Sequence, residues 1–148
     1  MTGSLADTLF DEAPPRSFSR GQIFISAPDL TSARKDPENG YWHCDIADHD
    51  SLTWSDKVYE LFGLVPRTPI DRELILTRYT DHSRDALERV RKYALSQDFC
   101  FILDAEISAD GANTRWIRVL AVPILVEGRV VALEGVKRAL RSPSGEAP

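Results

Sequence analysis

Residues 99–138 read FCFILDAEISADGANTRWIRVLAVPILVEGRVVALEGVKR, and this stretch decides the fold. Phe99, Phe101, Leu103, Ala105 and Ile107 recur every second position, with Asp104 and Glu106 between them. That is the period of a strand with one face buried. Asp110-Gly111 supplies a turn. Arg115 to Val126 then carries apolar side chains at odd and even positions, so this strand is expected to be central. Pro123 cannot donate to a ladder, and a bulge or an unpaired position is expected there. Glu127-Gly128 turns the chain into a last strand, Arg129 to Arg138. Three strands joined by tight turns form an antiparallel meander.

Upstream, Gly40 to Ala47 is rich in strand formers, with Trp42, Cys44 and Ile46 sharing one face. Asp48, His49 and Asp50 make a polar corner before a short strand, Leu52 to Trp54. Ser55 is placed to cap a helix carrying Val58, Leu61 and Phe62, and Gly63 to end it in the left-handed conformation. Pro66 and Pro69 stop the helix from resuming. A second short helix fits Asp71 to Tyr79, with Leu74 and Ile75 inward. The longest begins near Ser83, where Asp85 and Glu88 suit the positive end of the helix. Leu87, Val90 and Ala94 form its buried stripe, with Arg89, Arg91 and Lys92 toward water. Two strands, a helical segment and three strands predict an α+β domain, its helices covering one face of an antiparallel sheet.

The chain has 148 residues, 43% of them hydrophobic and 28% charged, the proportions of one soluble domain. No apolar run reaches the length of a membrane span, and Met1 to Phe10 lacks the features of a secretory signal, so a cytoplasmic location without membrane insertion is expected. The net charge is −5, with both signs scattered. A phosphate-binding surface needs clustered Lys and Arg, so nucleic acid is not an expected partner. Cys44 and Cys100 read as free core thiols. Residues 1–39 form an N-terminal extension, either partly disordered or holding a short amphipathic helix. Two apolar patches stand out in it, Leu5-Leu9-Phe10 and Ile23-Phe24-Ile25. The first reads as a docking or dimerisation segment or as a mobile tail. Residues 40–140 form the folded domain, and residues 141–148 a disordered tail.

These residues resemble the PAS family, in its common bacterial subtype. The first strand reads Gly40-x-Trp42-x-x-Asp45, Trp54-Ser55-Asp56 opens the first helix, and Leu61-Phe62-Gly63-Leu64-x-Pro66 closes it. His82-Ser83-Arg84-Asp85 is similar to the family's entry to the long helix, with Ser83 in place of a proline. Asp110-Gly111 with Arg115-Trp116-Ile117 resembles the family's turn and penultimate strand, one residue longer in the turn, and Gly135 falls where the last strand has glycine. The resemblance implies five antiparallel strands in the order 2-1-5-4-3 with helices around a small cavity. It also implies sensing, cofactor binding or protein association. The family's coupling tripeptide Asp-Ile-Thr is replaced by Ala139-Leu140-Arg141. With only a short tail beyond, output is expected to pass in trans to a separate signalling protein, such as a histidine kinase, from a homodimer.

Other clusters of reactive residue types have plainer accounts. His43, Cys44, Asp45, Asp48, His49 and Asp50 include metal-ligand types. His43 and Cys44 point to opposite faces of a strand, however, and no metal site is expected. Asp81, His82 and Ser83 are triad residue types, but adjacent side chains diverge, and capping explains them better. Haem-binding relatives use a histidine within the long helix, which has none from Asp85 to Gln97. Flavin photosensors use a cysteine in the helical segment, and residues 55–97 have none. Haem and covalent flavin are therefore disfavoured, and no cofactor is expected beyond a non-covalent small ligand.

Trp42, Cys44, Phe62, Phe99, Phe101, Leu103 and Trp116 are candidates either to line an apolar pocket or to fill a solid core. Ile117, Val119, Val122, Ile124, Val131 and Leu133 cannot all face inward, so with Leu5, Leu9 and Phe10 they are candidates for an association surface. The expected function is a non-catalytic sensory and signalling module working through protein association. The alternative is a sensor in which a pocket ligand is the central event. An acid/base enzyme would have only Asp45 and His43 to offer.

Overall fold

The computed structural model describes residues 29–109 and 113–140, with the backbone of Ile23–Ile25. Among the described residues six strands form one antiparallel sheet: β1 (Ile23–Ile25), β2 (Gly40–Asp45), β3 (Ser51–Trp54), β4 (Cys100–Ser108), β5 (Thr114–Val126) and β6 (Arg129–Ala139). Their spatial order is β1-β4-β5-β6-β2-β3. Without β1, this is the 2-1-5-4-3 arrangement that the resemblance implies. The added edge strand comes from the N-terminal extension, where Phe24 pairs with Phe101. The Asp110-Gly111 turn, the patch Leu5-Leu9-Phe10 and residues 141–148 lie outside the described residues.

The helices are α1 (Thr31–Lys35), α2 (Asp56–Leu61), α3 (Arg72–Leu76) and α4 (Asp81–Gln97). The last three cover one face of the sheet. Their main core takes Trp42, Trp54, Phe62, Val90, Phe101, Leu103, Ile117, Val119 and Leu133. On the outer face a smaller cluster of Ile102, Leu120 and Val136 is covered by Ala33 and Leu30. The helices of residues 40–140 thus lie on one face, as expected, while α1 of the N-terminal extension packs on the other. The central β5 is buried on both sides for this reason, as its apolar run predicts. Pro123 sits past the last β4 partner, Phe101 with Ala121, and one residue before a register shift at Ile124/Leu125. The expected irregularity is thus present, displaced by one residue.

Several local expectations change. Ser55 occupies the N-cap position of α2, but its hydroxyl accepts the Tyr41 N–H at 2.9 Å. Thr80, not Ser83, precedes α4. The buried Ser83 hydroxyl accepts the Glu106 N–H at 2.8 Å and fastens α4 to β4. Leu74 is exposed while Ile75 is buried, because α3 is only five residues long and turns one face inward. Phe99 lies outside β4, half exposed, and stacks on Tyr93 at 5.5 Å. Arg91 does not face water. It is drawn to Asp50 at 2.8 Å and tethers α4 to the corner after β2.

Glycine matters where the family pattern placed it. Gly63 has φ +71° and ends α2. A Cβ on Gly40 would lie 2.5 Å from Val58 Cγ2, and one on Gly135 would lie 1.7 Å from the Leu120 carbonyl oxygen. Both glycines therefore set how closely neighbouring backbone can approach.

Candidate functional site

Side-chain alternation along β6 puts Leu133 and Lys137 on the helix-facing side. A hydrophobic pair there would extend the core, but Lys137 carries an ammonium into it and is 7% exposed. Four aromatic rings surround its Nζ, with centroids at 5.0 Å (Phe62), 5.2 Å (Trp42), 5.4 Å (Trp54) and 5.9 Å (Tyr79). Such faces attract a cation. Nζ also donates to the Tyr79 hydroxyl at 3.3 Å.

Tyr79 reaches this point because the junction between α3 and α4 is bound to β4. The Thr80 N–H donates to the Glu106 carbonyl at 3.0 Å, and the Ser108 N–H to the Arg78 carbonyl at 2.7 Å. Tyr79 itself bridges to Ile107.

Beside the ammonium is a cavity of about 60 Å³. The sheet supplies Trp42 and Cys44 from β2, Leu52 and Trp54 from β3, Phe101 from β4, Val119 from β5, and Leu133 and Lys137 from β6. The helical side supplies Arg72, Ile75 and Leu76 of α3, Tyr79, and Leu87 and Arg91 of α4. Arg72 pairs with Glu88 at 2.6 Å and Arg91 with Asp50 at 2.8 Å. The indole N–H of Trp42 is buried and has no hydrogen-bond partner among the described residues.

Electrostatics follow from burial. Desolvation pulls the Lys137 ammonium from its ordinary 10.5 down to about 7, with nearby Arg72 acting in the same direction. Desolvation also raises the Tyr79 phenol and the Cys44 thiol. Cys44 is thus held as a thiol, unsuited to nucleophilic attack. Among the described residues no carboxylate lines the cavity. On the outer face the Cys100 thiol is pushed up to about 11 by burial.

The expected site residues separate accordingly. Trp42, Cys44 and Phe101 line the cavity, while Phe62 and Leu103 are buried core beside it and Trp116 is exposed on the outer face. Ile117, Val119 and Leu133 face the helices and are buried, so they are not available on the outer face as a docking surface. Alternation excludes them: each shares its side of the strand with cavity or core residues. Val122, Ile124 and Val131 are half-buried. His43 and Asp45 lie on the opposite side of β2 from Trp42 and Cys44, away from the cavity. No group of three His, Cys, Asp or Glu converges among the described residues. No described helix is long and apolar enough to cross a membrane.

Sequence reasoning missed Lys137, Tyr79 and Arg72. The signal was present for Lys137: a charged residue at the inward parity of an apolar strand, four positions after Leu133. The other two come from helices whose rotation the sequence leaves open.

No family model matches the chain, and no curated protein does either. Solved structures do. An RNA-binding light-oxygen-voltage receptor matches with a TM-score of 0.61 at 16% identity over 70% of this chain, which spans 29% of that receptor. The N-terminal domain of a diguanylate cyclase with PAS/PAC sensor from Marinobacter aquaeolei matches with a TM-score of 0.61 at 14% identity, covering 68% of this chain and 94% of the other. A domain of a putative light and redox sensing histidine kinase from Haloarcula marismortui matches with a TM-score of 0.62 at 14% identity, covering 75% and 97%. The chain has the PAS fold.

Proposed function

We propose that this chain is a non-catalytic sensory module that binds a small molecule in the cavity beside Lys137 and passes the occupancy of that site to a signalling protein. One observation carries the reading. A buried ammonium and a tryptophan whose buried indole N–H has no partner among the described residues line one cavity between the sheet and the helices. Buried polar groups are ordinarily satisfied, and these are costly to keep empty-handed. A pure packing role would be served better by an apolar side chain.

The cavity volume limits the ligand. About 60 Å³ is well below the roughly 300–1,000 Å³ of sites for drug-sized molecules. The reading is therefore a compact, non-covalent ligand rather than haem or flavin. The PAS and light-oxygen-voltage sensors among the structural neighbours support a sensory role by analogy of fold.

A thermal-shift panel of compounds with up to about six heavy atoms tests the reading. The panel holds carboxylates, amides, alcohols and ketones. At least one class is expected to raise the melting temperature of the purified protein in proportion to log concentration, and Val119→Phe, which fills the cavity, to abolish the rise. If no class acts, the pocket reading falls.

A second reading, in which association is the central event, is favoured by exposed Leu125 and Val126 beside half-buried Val122 and Ile124, with Trp116 exposed at the other end of β5. Native mass measurement across a concentration series separates the two. A homodimer or a complex that forms equally with and without ligand would favour association.

A further inference from the structure

We infer that the ligand taken by the cavity is a small monocarboxylate of one or two carbons, held by Lys137 Nζ and Trp42 Nε1. The inference rests on the pocket reading above and names its ligand class.

Charge selects the class. Among the described residues, three cationic side chains line the cavity and no anionic one does. Arg72 and Arg91 already face carboxylates, Glu88 and Asp50. Lys137 alone has none: its hydrogen bond goes to the neutral Tyr79 hydroxyl. A buried ammonium without a counter-ion must lose its proton or acquire an anion. Hydrogen bonding selects the same class. Protonated Lys137 and the Trp42 indole can only donate, so a ligand that meets both must accept. A carboxylate has two oxygens and accepts from both at once.

Size and surface select the tail. An apolar cavity of about 150 Å³ holds benzene. One of about 60 Å³ therefore suits roughly two to four heavy atoms beside the ammonium. Trp54, Ile75, Phe101 and Leu133 offer that tail apolar contact. A dicarboxylate would bury a second charge among these walls without a partner.

Proton linkage follows. The groups facing Lys137 are Cys44 of β2, Arg72 of α3, Arg91 of α4 and Tyr79. Burial keeps the thiol and the phenol neutral near pH 7. Lys137 is then the group whose proton varies there. Above pH of about 7 the free protein must take up a proton to receive the anion, so affinity falls about tenfold per pH unit.

Titration calorimetry with acetate, acetamide and chloride tests the inference on wild type, Lys137→Met and Trp42→Phe. Acetate is expected to bind at about pH 6, to weaken about fivefold between about pH 7 and 8, and to lose about 100-fold in Lys137→Met. Trp42→Phe keeps the ring and loses the N–H, and is expected to weaken binding about fivefold to tenfold. Acetamide or chloride binding as tightly as acetate overturns the inference, as does unchanged acetate affinity in Lys137→Met. If acetate fails while an amide, alcohol or ketone binds, the ligand class is wrong and the pocket reading stands. If nothing binds, both fall.

Discussion

Lys137 is a residue held at a cost. In the unfolded chain its amine keeps a proton up to about pH 10.5; in the folded protein, only to about pH 7. Between those limits the unfolded state binds more protons, so stability rises with pH across the window and is flat below it. Lys137→Met is therefore expected to stabilise the protein, by an increment that grows as pH falls from about 10 to about 7 and then stays constant. Urea midpoints for both proteins at about pH 6, 8 and 10 check this, and equal increments at all three would contradict it. Gly135 is the contrasting residue, chosen for space instead of charge. An added methyl meets the Leu120 carbonyl with nowhere to move. Gly135→Ala is expected to cost at least about 2 kcal/mol in denaturant unfolding.

At the scale of elements, single polar contacts decide how helices and strands are joined. Ser83 belongs to the first turn of α4, yet its hydroxyl serves β4. Ser83→Ala leaves the Glu106 N–H without its partner and is expected to cost about 1–3 kcal/mol. Hydrogen exchange at Glu106 should quicken, while amides in the middle of β6 change only with the global loss. The β4–β5 pair holds a second such contact. Arg118 and Asp104 face each other across the ladder at 2.6 Å and 2.8 Å, almost wholly buried on the outer face. Asp104→Ala leaves a buried guanidinium short of its carboxylate and is expected to cost about 3–5 kcal/mol. The double change Asp104→Leu with Arg118→Met is expected to recover most of that loss, and a double-mutant cycle measures the coupling.

At the scale of the whole molecule, the N-terminal extension completes the sheet. It supplies the strand that pairs with β4 and the residues Leu30 and Ala33 that cover Ile102, Leu120 and Val136. A chain beginning at Gly40 would keep all five strands implied by the family resemblance. It would expose the β4 edge and an apolar cluster that the full chain covers. Such an edge pairs readily with other chains. Removing residues 1–39 is expected to lower the melting temperature and make the mass in solution concentration-dependent. An unchanged melting temperature and a monomer at all concentrations would contradict this.

The meander, the order of elements and the central place of β5 were legible from periodicity, because a strand's alternation and a turn's residue types are local properties. So were Gly63 and the buried stripe through Val90 and Ala94 of α4. The role of Ile23–Ile25 was not, since three apolar residues do not say which edge they join. Nor was the inward turn of Arg91, which depends on Asp50 being near in space. Trp42, Cys44 and Phe101 were marked as pocket or core, and only the packed helices left a cavity beside them. Sequence alone determined the five strands and three helices of residues 40–140, through interactions between residues close along the chain. Tertiary structure alone decided that Lys137, Tyr79, Arg72 and the indole of Trp42 meet, because a site made from β2, β6, α3 and the junction before α4 exists only once those elements are packed.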